Sequence, residues 1–291
     1  MKDFVIFVDS ACDIPPETLK EWGVRFCSLS LVFSDDPKEY SDYDIPAKEF
    51  YGKMRNGVQA KTSAVNMGKF CEIFEGIVSE GKDILYLCFS SGLSATYNFA
   101  SEAAAEVMQK HEGSTIKVID SLCASAGYGL LLYLMVQKKN DGAYMDELAD
   151  FAENNKLKVC HWFTVDDLKY LKAGGRISAT TALLGGMLNI KPVMKMDNNG
   201  KLVSVSKVRG RKAALKAIAQ KYGETAIDPK NGTVFICHAD CDDDAKELAE
   251  YVKEDYGAEV KLTVDIGPVI GSHSGPGTLA LFFLADDRLY F

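Results

Sequence analysis

Small polar residues gather where four apolar runs end: Asp9-Ser10, Ser90-Ser91-Gly92-Leu93-Ser94, Asp120-Ser121 and the glycine-rich tail after Ile266. In an open α/β sheet a guest molecule sits outside the carboxyl ends of the strands, so hydroxyl and carboxylate groups at these points would meet it. Turn and N-cap chemistry alone accounts for Asp9 and Asp120. Three serines between Ser90 and Ser94 exceed what one cap needs. The segment from Gly267 to Gly277 holds four glycines and two prolines around a single imidazole. It is expected to form a tightly fixed, irregular loop that gives His273 a defined position from which to donate to an anion.

Two familiar motifs are nearly spelled and do not complete. Gly92-Leu93-Ser94-Ala95-Thr96 approaches a nucleophile elbow, but that turn needs glycine two residues after the serine, where this chain has Thr96. A hydrolase using Ser94 with His273 as its base, or Asp9, stays open as the alternative to simple binding. Gly76 to Asp83 approaches a P-loop, yet it ends a helix and precedes a strand, the reverse of the required order. The chain therefore has no visible means of using ATP itself. The eight cysteines contain no CxxC pair and read as buried free thiols. Cys237-His238-Ala239-Asp240-Cys241 lacks a second ligand pair, so no metal is expected. In Lys172-Ala173-Gly174-Gly175-Arg176-Ile177-Ser178 the glycines could close a helix and the serine cap the next, which leaves Arg176 as a surface residue or a partner contact. The basic cluster Lys207, Arg209, Arg211 and Lys212 is divided in the same way between a solvated helix start and a contact.

The elements that must position these groups follow from periodicity. Strands are expected at Phe4–Val8, Val24–Phe33, Ile84–Phe89 and Thr115–Asp120. They interleave with helices near Pro16–Trp22, Pro46–Asn56, Asn66–Glu80 and Leu93–His111, with Gly23, Gly57 and Gly81 as stops. A long helix of small and apolar residues covers Cys123–Lys139, and another runs to Asn155. A second unit then opens with strand Lys158–Phe163, helix, the glycine pair, a further short helix and the extended run Leu188–Met196. Asn198-Asn199-Gly200 turns that run into Lys201–Lys207, which makes part of the second sheet antiparallel. Helix Arg211–Tyr222, strand Thr233–His238, helix Asp242–Tyr256 and strand Glu259–Ile266 complete it. The expected fold is α/β in two domains, residues 1–156 with a mostly parallel, Rossmann-like sheet and residues 157–291 with a mixed one.

At 291 residues, 47% apolar and 25% charged, the chain has an ordinary globular composition and can bury a substantial core. A net charge of -8 argues against nucleic acid and against anionic membrane surfaces. The apolar run Phe4–Val8 is too short for a secretory signal, and Gly129–Val136 is about half of a membrane span. A cytoplasmic protein without stable membrane insertion is expected.

Taken in order, Val8-Asp9-Ser10, Thr62-Ser63, Ser90-Ser91-Gly92-Leu93-Ser94, Val118-Ile119-Asp120-Ser121, Tyr170 to Ser178, Leu188 to Pro192 and Val269 to Gly277 resemble the DegV family over nearly the whole chain. The resemblance implies two α/β domains with one long-chain fatty acid in a tunnel between them. It implies a carrier with no catalytic residues and no cofactor, which presents the acid to a separate ATP-using fatty acid kinase for acyl-phosphate formation. Carried over by motif, Thr62, Ser94 and His273 would hold the carboxylate, Ser63, Ser91 and Gly271 would support them, and Arg176 would face the kinase. The chain departs from the pattern at Ala64-Val65, where many members have Gln-Pro, and at Ala95, where many have glycine.

Overall fold

The computed structural model describes residues 2–177 and 189–288. Ser178, Leu188 and the short helix expected before the run to Met196 lie outside the described residues. The first sheet is parallel, in the order β2-β1-β6-β7, from β1 Phe4–Asp9, β2 Arg25–Cys27, β6 Asp83–Cys88 and β7 Ile116–Asp120. Helices α1 Pro16–Glu21, α2 Ala47–Arg55 and α3 Met67–Ser79 are followed by Gly23, Gly57 and Gly81, all at positive φ. Asn66 caps α3 by accepting the Lys69 amide at 2.9 Å.

The expected single strand Val24–Phe33 is in fact two. At Leu29 the backbone amide turns aside to Ser10 Oγ, at 3.1 Å, and the chain leaves the parallel sheet. It re-enters a separate antiparallel sheet, ordered β4-β3-β5, from β3 Ser30–Phe33, β4 Asp36–Ser41 and β5 Ala60–Ser63.

Helices α4 Thr96–Lys110, α5 Ser125–Asn140 and α6 Met145–Asn155 follow. Helix α5 is buried nearly all round through Leu132 because it lies between two sheets. Its Tyr128 hydroxyl reaches the parallel sheet, accepting the Asp9 amide at 3.1 Å, while its other side packs on strands of the second sheet. That sheet is mixed, ordered β10-β9-β8-β13-β11-β12, from β8 Val159–Thr164, β9 Ile190–Met196, β10 Leu202–Arg209, β11 Val234–His238, β12 Val260–Asp265 and β13 Leu279–Leu284. Among the described residues of this sheet only β11 and β12 pair in parallel. Helices α7 Lys169–Ala173, α8 Arg211–Thr225 and α9 Asp242–Tyr256 complete this half together with α10, Pro268–Ser274. Among the described residues no helix is long and apolar enough to cross a membrane.

Helix α10 corrects the expectation of an irregular loop around His273. Pro268 sits in its first turn, where a missing N–H costs nothing, and Gly275 ends it at φ 83°. Between them Gly271 presses against α2 so closely that a Cβ there would collide with the Tyr51 hydroxyl. Burial against Tyr51 and Phe50 supplies what glycine-poor helix propensity would otherwise provide.

Register assigns the faces of the second sheet. Phe163 pairs with Ala280 and Met194, Cys237 with Ala280, and His161 with Phe282, so these side chains share the face turned to α5. Trp162, Leu281 and Phe283 point the other way, into a second core with Leu215, Ile218 and Tyr222 of α8.

Candidate functional site

A cavity opens where the three-stranded sheet, the turn after β6, the start of α5, helix α10 and the inner face of the second sheet converge. Its empty space, the open mouth included, amounts to about 1070 Å³. Its walls are mostly aliphatic and aromatic, with Phe89, Leu93, Phe163, Met196, Ile270 and Phe282 among them.

Polar groups of four separate segments meet at this lining. Thr62 lies on β5 with exposed neighbours Lys61 and Ser63, the alternation expected of a strand. Its Oγ1 is 2.8 Å from His273 Nε2. Ser94 lines the cavity from the turn after β6, with its Oγ 2.8 Å from Thr96 Oγ1. Arg176 lines it as well, half-buried, with Nε donating to the Leu93 carbonyl at 3.2 Å and Nη1 to the Gly174 carbonyl.

His273 is held neutral at ordinary pH. Burial, and then the nearby Arg176 charge, push its pKa down to about 4. Its Nδ1 is buried without a partner and faces Gly174, where a Cβ would run into that nitrogen. Gly174→Ala is therefore expected to push the imidazole off Thr62. His273 ring resonances unchanged from the wild type by NMR would refute this coupling.

The remaining sequence-derived residues fall elsewhere. Ser63 and Ser91 are exposed and off the cavity lining, and the Ser91 amide donates to Asp120 Oδ1 at 3.1 Å. Gly271 serves the α10–α2 contact rather than the lining. Ser90 ties its turn to the β9–β10 hairpin by donating to the Gly200 carbonyl at 2.9 Å. Asp9 is buried and occupied by the Ala11 and Phe89 amides and the Tyr86 hydroxyl, with burial raising its pKa. As nucleophile and base, Ser94 and His273 are poorly served: His273 engages Thr62, and its far nitrogen has no carboxylate to orient it.

Several lining groups were not anticipated, among them His161, Ser125, Cys237 and Ser274. His161 Nε2 accepts the Ala124 amide at 3.2 Å, so Nδ1 carries the proton and donates to the Val159 carbonyl at 3.0 Å. Burial, followed by the Arg288 charge, holds its pKa down to about 3. Ser274 is buried, and its hydroxyl has no partner.

The described residues form an α/β body with one parallel and one mixed sheet, and a mostly apolar cavity lined by a few polar side chains. The chain belongs to the DegV family: the family model described as "Uncharacterised protein, DegV family" matches residues 3–286. A DegV domain-containing protein of Clostridium perfringens is 44% identical over 291 residues, covering 99% of each chain. A fatty-acid-binding DegV family protein of Thermus thermophilus superposes with a TM-score of 0.87 at 27% identity, over 98% of this chain and 100% of that one. A stearic-acid-binding protein of Eubacterium ventriosum gives 0.87 at 26% identity, over 97% and 98%.

Proposed function

We propose that the chain binds one long-chain fatty acid in this cavity, with the carboxylate at Thr62, Ser94 and His273 and the tail along the apolar walls. The observation that carries the reading is the Thr62–His273 contact, at 2.8 Å, on the wall of an otherwise hydrocarbon-like cavity. The fatty-acid-binding DegV relatives of the same fold support it. A palmitate-sized tail has about fifteen carbons beyond its carboxyl group, and at ~0.8 kcal/mol per buried methylene the gross gain is about 12 kcal/mol. Tail burial drives affinity, and the donors set orientation by replacing the water lost from the carboxylate.

In this reading the neutral imidazole donates from Nε2 to Thr62 Oγ1, which frees the threonine proton for the carboxylate. Ser94 supplies a second hydroxyl donor. The seam between residues 1–156 and 157–291 is where the ligand lies. The protein acts as a cytoplasmic carrier that performs no chemistry of its own: a separate ATP-using kinase phosphorylates the presented carboxylate. Arg176, half-buried beside the head group, lies on that partner's route.

Organic extraction and mass spectrometry of the purified protein should recover about one long-chain fatty acid per chain. An empty protein that binds no added fatty acid, or one that turns over esters, would sink the proposal. Acyl phosphate formed only when a kinase and ATP are both supplied tests the carrier role separately.

A further inference from the structure

The acyl part of the cavity is not uniformly greasy. Ser125, at the start of α5, and Cys237, on the inner face of β11, both line it, with Oγ and Sγ 3.1 Å apart. Ser125 Oγ also hydrogen-bonds the Asp13 carboxyl, whose other oxygen accepts the Gly267 amide at 3.0 Å. Ser125 holds φ 53°, a left-handed conformation that a serine rarely adopts. None of these three groups belongs to the carboxylate grip, which is built from β5, the turn after β6 and α10.

A count of hydrogens shows what the cluster offers. Asp13 is buried, and desolvation followed by the Asp42 charge raises its pKa well above the usual carboxylate range, which favours the protonated acid. The carboxyl, the hydroxyl and the thiol then bring three hydrogens to two contacts, Asp13–Ser125 and Ser125–Cys237. One donor is left over on the wall of a lipid cavity. Ser274 adds a second there, a buried hydroxyl with no partner. Leaving such groups unmatched is costly, and a guest oxygen would match them.

We propose that Ser125 and Cys237, backed by Asp13, form a second polar contact point that recognises an oxygen carried on the acyl chain, which makes a hydroxy fatty acid the preferred guest. This rests on the fatty-acid reading and specifies its ligand class. A plain alkyl chain would bury the spare donor unsatisfied, whereas a chain hydroxyl at the matching carbon would accept from it.

The test is competition binding of stearic acid against monohydroxystearic acids with the hydroxyl walked along the chain. One position should bind about tenfold tighter than stearic acid, and positions facing hydrocarbon should bind weaker. Ser125→Gly, which suits the left-handed backbone, should collapse the ratio at the favoured position to about one; Cys237→Ala, at an ordinary strand position, should lower it. Stearic acid that binds with no favoured hydroxyl position, as a water-filled polar niche would give, overturns this inference alone. A favoured position that persists in Ser125→Gly overturns the assignment to Ser125. If stearic acid itself does not bind, the fatty-acid reading fails and this inference falls with it.

Discussion

Thr62→Val should yield a protein that still copurifies with lipid but has lost much of its ability to tell an acid from an ester. Valine keeps the shape of threonine and removes the hydroxyl that lies 2.8 Å from His273 Nε2. A hydrogen bond to a charged group contributes roughly 1.5–3 kcal/mol, so the preference for a fatty acid over its methyl ester should fall by about 10–100-fold. Against a tail contribution of about 12 kcal/mol that loss leaves binding intact, which is why copurified lipid is a poor readout and the ratio a good one. Acyl transfer to a kinase should suffer at least as much, because a carboxylate without its donors is no longer held in one place. If Thr62→Val keeps the wild-type ratio and remains a full kinase substrate, the assigned grip is wrong.

Much of the frame was legible because it rests on local signals. Strand β1 reads from an apolar run, α3 from its Asn66 cap, and the β9–β10 hairpin from Asn198-Asn199-Gly200. The misses share a physical cause, in that tertiary context overrode composition. The segment from Gly267 to Gly277 has the residue content of a loop, yet α10 forms because its Gly271 face is buried on Tyr51 and Phe50. Strand β4, Asp36–Ser41, has no buried residue and lies at a sheet edge, so it shows no alternating apolar signal. Strand β13, Leu279-Ala280-Leu281-Phe282-Phe283-Leu284, is a further element absent from the expected set, although it sits between β8 and β11 and is a continuous apolar run of the same kind as β1.

The site divides along the same line. Thr62, Ser94 and His273 came from motifs and all three line one cavity. His161, Ser125 and Cys237 did not, because their facing depends on the pairing of β8 and β11 with β13 and on α5 lying across that sheet. No spacing in the chain announces that Cys237 and Ser125, more than a hundred residues apart, share a wall.

The same convergence of distant segments makes stability depend on pH. Asp42, reached from the three-stranded sheet, is 2% exposed and accepts the Val269 amide at 2.7 Å, while its second oxygen has no partner. Burial pushes its pKa up to about 7 against the opposing pull of that amide. Between about pH 4 and about pH 7 the folded chain therefore holds a proton that the unfolded chain has released, so stability falls as pH rises through this window and levels off above it. The gap between the ordinary value of 3.8 and about 7 corresponds to at most about 4 kcal/mol, at about 1.4 kcal/mol per tenfold. Asp13, raised by its own burial and by the Asp42 charge, pulls in the same direction. Asp42→Asn keeps an acceptor for Val269 and cannot ionise. It should match the wild type in urea unfolding near pH 4 and exceed it by up to about 4 kcal/mol near pH 8, with a shallower but not flat dependence, because Asp9 and Asp13 still titrate. A wild type that grows more stable from about pH 5 to about pH 8, or an Asp42→Asn variant no more stable than it near pH 8, would show that this carboxylate is not buried as a neutral acid.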